Sequence, residues 1–314
     1  MKVMDLLSLK EYSITPEEFL KFPQGDYEIS CPTNEDLIII SKKFNIEILD
    51  LEDVFDTEER PRVDIDPQTG YMEFVVRYPL SYDFETQKSI PIITFLSKDF
   101  CIVLHNYPSF ISRSPRKIHR DDDNQNDFHF KNVLKMFNGL SSMTEIVISQ
   151  YQDSREKLEE LIFESMKITP LKEVFSLSKS LVIFENNSKG NLSVVRKIIF
   201  SGFLPGANKY LLGKFEDVET DLEQYFEQVL IMREMLSNSL DAYGSVVSDN
   251  VNQVMKTLTI FTIILTNPIL VASIYGMNIS LPFQNEPLSF IVLMVISLIM
   301  SGGMVLYMKR RGIL

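Results

Sequence analysis

The sequence predicts an α+β membrane protein: an N-terminal cytoplasmic α/β domain, then a helical region whose very long stalk helix continues into the first of two C-terminal transmembrane helices. Three observations carry this. Residues 257–285 contain no Asp, Glu, Lys, Arg or His, and 258–275 and 288–308 are apolar runs of the roughly 20 residues a spanning helix needs. A three-four alternation of apolar residues leads into the first run without a helix breaker. The first 130 residues hold short β-branched stretches bounded by turns.

Residues 1–130 read as the α/β domain. The strand candidates are 73–78 (EFVVRY), 91–96 (PIITFL) and 100–104 (FCIVL). Asp66-Pro67-Gln68-Thr69-Gly70 has the chemistry of a hairpin turn, and Ser97-Lys98-Asp99 marks another. Residues 33–44 (TNEDLIIISKKF) open with a Thr/Asn cap, carry acids in the first turn, and predict a helix. A charged loop over 113–126 leads into a helical region, 131–212. There 138–187 is helical, with Pro170 dividing an antiparallel pair, and a Gly/Asn/Pro-rich connection is expected over 186–208.

The stalk is expected over 213–275. Phe215, Val218, Leu222, Tyr225, Val229, Met232, Leu236, Ser239 and Tyr243 form its seam, with Gly244 the one weak point. At the helical rise such a run is ~90 Å long, and its seam is expected to need copies of the chain to bury it. Membrane helix 1 occupies about 257–275, an extracytoplasmic loop 276–287, helix 2 288–308, and a basic tail 309–314.

Charge is divided unevenly. The chain has 31 bases and 43 acids, net −12; residues 256–314 hold four bases and one acid, which leaves 27 and 42, or −15, elsewhere. So acidic a domain argues against nucleic acid, which needs a basic surface. Lys256 precedes the first span and Lys309-Arg310-Arg311 follow the second, while the loop between carries only Glu286. The positive-inside rule then sets both termini in the cytoplasm, in a multi-pass protein of the cell membrane. Two cysteines without CxxC spacing and three histidines suggest neither a disulfide framework nor a zinc centre. No phosphate loop, HExxH helix or Ser/His/Asp constellation suggests an enzyme.

The first span has a polar stripe. Thr259, Thr262, Thr266 and Ser273 recur at steps of three, four and seven and share one helical face. Met255, Ile269 and Met277 lie near it, and Asn252 extends it below the membrane. Such hydroxyls can simply back-bond to their own helix. Four on one stripe, with Ile and Phe opposite, fit a face turned toward water or other helices.

The stripe ends in Tyr275-Gly276-Met277-Asn278, and Asn252-Gln253-Val254-Met255-Lys256-Thr257-Leu258-Thr259-Ile260 leads up to it. In both segments, and in their place before a second span, the sequence resembles the CorA-type magnesium transporters, with their GMN motif and N-x-V-M-K-x-L-T-I approach. The resemblance implies a homopentamer with the first span lining a pore. Tyr275, Gly276, Met277 and Asn278 would form its outer mouth, and Asn252, Met255, Leu258, Thr262, Thr266, Ile269 and Ser273 its wall. Magnesium would be both cargo and regulatory ion, and lipid and divalent cations the other partners. The helix proline, Pro268, stands one residue later than in many members. Residues 51–62 resemble the family's E-D…R-P-K stretch with Arg62 in place of Lys. Regulatory cations would bind at Asp217, in an aromatic-x-D-V context, and at Asp83 of a neighbouring chain. Within the same family, zinc, cobalt or nickel are alternative cargoes. A membrane-anchored coiled-coil scaffold is the alternative from another class.

Overall fold

A computed structural model describes residues 1–66, 70–82, 87–109, 128–165, 169–201, 209–279, 282, 286 and 288–312. The strands are β1 (Lys2–Asp5), β2 (Lys10–Ser13), β3 (Asp26–Ser30), β4 (Arg62–Asp66), β5 (Tyr71–Tyr82), β6 (Gln87–Ser97) and β7 (Cys101–His105). They form one sheet in the order β2-β1-β3-β7-β6-β5-β4. Among the described residues only β3 and β7 pair in parallel. Helices α1 (Pro16–Phe19), α2 (Asn34–Phe44) and α3 (Ile48–Glu52) follow β2 and β3. The long helices are α4 (Phe128–Ser165), α5 (Thr169–Phe200), α6 (Lys209–Tyr275) and α7 (Ser289–Arg310). By internal packing the chain divides into two units, Met1–Ser239 and Leu240–Leu314, with α6 contributing to both.

The three apolar strand candidates are the centres of β5, β6 and β7, and the helix expected at 33–44 is α2. Thr33 caps α2 in a reciprocal box with Asp36, and Asn45 closes it in the left-handed conformation, φ 55°. Of the hairpin turn at 66–70, residues 67–69 lie outside the described residues; Gly70 takes φ +75°, a conformation a side chain would strain.

One strand, β3, alternates polar and apolar residues over only five positions, with Tyr27 and Ile29 on the α2 face, and its polar face is buried too. Its face toward α4 carries Asp26 and Glu28, both buried. The Asp26 carboxylate accepts from the Cys101 N–H at 2.8 Å and the Asn132 amide at 2.5 Å, and also pairs with His129 at the start of α4. His129 is raised above its ordinary pKa, chiefly by that hydrogen bond. Glu28 pairs with His105 at 2.9 Å, both fully buried. These partners let polar side chains sit in a strand interior.

Two cores sandwich the sheet. On one face Met72, Phe74, Ile92 and Val103 pack with Phe137 and Leu140 of α4, Val195 and Ile198 of α5, and Phe215 and Leu222 of α6. On the other, Val75, Ile93, Phe95 and Leu104 pack with Leu37, Ile40 and Phe44 of α2 and Leu51 of α3.

Two expectations are corrected. The connection placed over 186–208 is helical as far as Phe200. Its Gly and Asn residues serve packing: a Cβ on Gly190 would come within 2.7 Å of the Pro61 ring, so glycine lets α5 approach that closely. Asn191 both accepts from the Arg77 N–H and donates to the Arg77 carbonyl, each at 2.8 Å, acting as a strand partner from a helix. The second correction concerns the seam of α6. Phe215, Val218, Leu222, Val229, Met232 and Leu236 are buried within the single chain, so this stretch needs no second copy to cover it. Arg233 to Glu185 of α5 and Ser239 to Glu159 of α4, both at 2.7 Å, flank the seam's far end.

Candidate functional site

In the second unit α6 and α7 are helices long and apolar enough to cross a membrane. They run antiparallel: Ser301 of α7 lies against Ile264 of α6, and Met308 lines one cleft together with residues 249–259 of α6. On α7, Ser297 and Ser301 are buried, and the Ser301 hydroxyl donates to the Ile264 carbonyl at 3.2 Å. Small side chains four apart permit this close approach in an apolar setting. The Ser-x-x-x-Ser spacing was visible in the sequence and is the signal that could have found this seam. On α6 the matching half-buried positions are Ile260, Ile263, Ile264, Asn267, Pro268 and Val271.

That seam fixes what the rest of α6 faces. Asn252, Met255, Leu258, Thr262, Thr266, Ile269 and Ser273 are all exposed, on the side α7 leaves open. At 100° per residue they fall in an arc opposite Ile264 and Val271. The helix passes Pro268 without a break, and Thr266 and Ile269 stay on the open side. The Thr259 and Thr262 hydroxyls donate to the carbonyls four residues back at 2.8 Å, and Thr266 does so at 2.7 Å. Back-bonding thus occurs, yet each oxygen keeps acceptor capacity on the open face.

Tyr275 ends α6, and its hydroxyl donates to the Pro282 carbonyl at 3.2 Å. Gly276 N–H continues the helix ladder to Ala272 at 2.9 Å, and Met277 N–H turns to Ile274 at 3.2 Å. Gly276, Met277 and Asn278 are exposed. A Cβ on Gly276 would stand 3.2 Å from the Ala272 carbonyl, so an alanine there crowds the helix end.

The regulatory candidates are not brought together. Asp217 is exposed on α6 and pairs with Lys214 at 2.8 Å; Asp83 lies outside the described residues. Among the described residues no group of three or more His, Cys, Asp or Glu is arranged to hold a metal. Four acids surround Arg62, which pairs with Asp53 and Glu73 at 2.6 Å, Glu59 at 2.9 Å, and Asp64. Glu73 stands directly across the sheet from Asp64. Burial pushes its carboxyl up to about 7, against the pull of Arg62 and with Asp50 and Asp53 adding to the rise.

Comparison with known proteins bears on the fold and the family. The chain is 25% identical to the cobalt/magnesium transport protein CorA of Methanocaldococcus jannaschii, over 96% of this chain and 97% of that one. It is 24% identical to the protein of the same name from Thermotoga maritima, over 97% and 91%. The complete structure of the CorA magnesium transporter from M. jannaschii superposes with a TM-score of 0.78 at 23% identity, covering 98% of this chain and 97% of that one. Residues 27–310 match the family described as CorA-like Mg2+ transporter protein, and the chain belongs to that family.

Proposed function

We propose that the chain is the subunit of a homo-oligomeric, channel-type transporter that moves magnesium across the cell membrane. The observation that carries this reading is the open stripe of α6: seven candidate wall residues exposed on one side while α7 covers the other. Two spans cannot enclose a pore, so several copies must meet at an axis, and a pentamer is the number the family resemblance suggests. The boundaries follow those read from sequence, with the 276–287 loop outside and both termini in the cytoplasm, as the charges at Lys256 and 309–311 favour.

Magnesium gives up its water reluctantly. A hydrated ion presents outward hydrogens, so it calls for acceptors, and neutral ones release it again. Asn278 amides and the exposed ends of α6 carbonyls at the mouth supply them, followed by the Thr266 and Thr262 oxygens. Leu258 and Met255 form apolar collars that close by dewetting. Cytoplasmic magnesium bound at subunit boundaries, with Asp217 as one acid, offsets repulsion among the acidic domains and holds the gate shut. The names of the relatives extend the cargo to cobalt.

The test is flux into proteoliposomes for magnesium, cobalt, nickel and zinc. Wild type is expected to carry magnesium, and Asn278→Ala to reduce uptake to background with assembly unchanged. Normal uptake by the mutant would remove Asn278 from the mouth. Zinc flux without magnesium flux would replace the cargo.

A further inference from the structure

Pro268 lies inside α6 and has no N–H, so the Ile264 carbonyl four residues back lacks its ordinary ladder donor. The proline ring also crowds that carbonyl, which is the usual cause of a kinked helix. In hydrocarbon no water can replace the lost bond, and a backbone group left unsatisfied there is costly. The helix nevertheless runs from Lys209 to Tyr275 as one element. Something other than its own ladder must supply the Ile264 carbonyl.

The replacement donor comes from α7. The Ser301 hydroxyl donates to the Ile264 carbonyl at 3.2 Å, and Ser301 is only 1% exposed. A second acceptor, the Ser297 carbonyl, lies 3.0 Å from the same hydroxyl. That carbonyl belongs to the unbroken helix α7, whose ladder already offers it the Ser301 N–H. The single hydroxyl proton therefore has more to gain at Ile264, where the ladder donor is missing. Ser297 is just as buried, yet its hydroxyl donates to Met294 of its own helix at 2.9 Å. The two serines share a face of α7 and differ in what they bond.

We propose that Ser301 is a positioning residue whose hydroxyl takes the place of the N–H that Pro268 lacks and holds α6 straight through the membrane. The consequence lies beyond the proline. Ile269, Ser273 and residues 275–278 all follow Pro268, and Tyr275, the last helical residue, stands ~10 Å further along at the helical rise. A kink of ~20° at Pro268 would swing that end sideways by ~4 Å and carry the mouth residues off a shared axis. A serine on the second span thus sets the aim of a mouth built from the first. The clamp rests on the contact between α6 and α7; its bearing on the mouth rests on the proposed function.

The test is a double-mutant cycle on the full chain, with reversible unfolding measured in lipid bicelles. Ser301→Ala is expected to raise the unfolding equilibrium constant about fivefold, because it orphans the Ile264 carbonyl. In a Pro268→Ala background the new N–H closes the ladder, and Ser301→Ala should then change the constant by less than about twofold. Ser297→Ala, the control, should have the same effect in both backgrounds. An equal loss from Ser301→Ala with and without the proline would reduce Ser301 to packing and overturn the clamp. If Ser301→Ala alone does not assemble, recovery of assembly on adding Pro268→Ala supports the clamp, and no recovery overturns it. Magnesium flux into proteoliposomes reads the effect on the mouth. Ser301→Ala should lower flux several-fold and the Ser301→Ala/Pro268→Ala variant should regain it; wild-type flux in Ser301→Ala would overturn the positioning role. A wild type that carries no magnesium would sink the transport reading alone, and the unfolding cycle would still judge the clamp.

Discussion

The two units use the same apolar side chains in opposite ways. In the first, Phe74, Phe95 and Phe137 are fully buried, and polar residues in the sheet interior are paired, as Glu28 is with His105. In the second, Phe261, Leu265 and Ile269 are 58–61% exposed, and the buried side chains of α7 are two serines. A water-soluble core puts its large apolar groups inside because water expels them. Lipid gives no such push, so helices there pair through small residues and turn large ones outward. The difference teaches where this chain needs something else around it. The first unit covers its own seam up to Leu236, while the second exposes an apolar surface that only lipid and further copies can cover.

The sharpest test of that contrast is a pair of truncations measured by unfolding of the full chain in lipid. Phe74→Ala removes a ring stacked on Phe137 at a centroid distance of 5.6 Å and should cost ~3–5 kcal/mol. Phe261→Ala, in an exposed position, should cost less than ~1 kcal/mol. Equal losses at both sites would mean that the second unit is packed like a soluble core.

A smaller effect probes the open face. Leu258→Ser places a hydroxyl where the proposed collar expels water, and magnesium leak at high internal magnesium should rise several-fold while stability is kept. Unchanged leak would move the gate elsewhere, with Ile269 the next position to examine.

The first unit also contains one paired group that does not rest easily. Because Glu73 is raised from 4.5 to about 7, its neutral form is the one the fold favours. Its stabilising share is complete below about pH 4.5 and is lost as pH rises through 7, a change of at most ~3 kcal/mol. Glu73→Gln should flatten the dependence of the melting temperature on pH across that window. A mutant that tracks wild type across it would show that Arg62 already keeps Glu73 ionised.

The smallest expected effect is at Asp217. Its pair with Lys214 is exposed and contributes little, so Asp217→Ala should leave the melting temperature in magnesium-free buffer unchanged. If Asp217 holds a regulatory cation, the same mutant should need more magnesium for protection from proteolysis. An identical protection curve would leave it a solvated surface acid.

Some of this was determined by sequence alone. The two spans, the polar stripe and the long helix were legible because a bilayer sets length and polarity residue by residue, and a helix repeats its faces every few positions. The strands β5, β6 and β7 were legible because their apolar runs match a sheet buried on both faces. Only the tertiary structure decided the rest. Strand β3 was hidden because Asp26 and Glu28 belong in a strand only once His129, Asn132 and His105 arrive from distant parts of the chain. The last turns of α5 looked like a loop because Gly190 and Asn191 disfavour a helix locally, and are kept there by Pro61 and the backbone of Arg77. The seam of α6 read as an interface between copies, since periodicity shows that a face must be buried and not which partner buries it. That choice belongs to packing, and here α4, α5 and the sheet make it for the first unit.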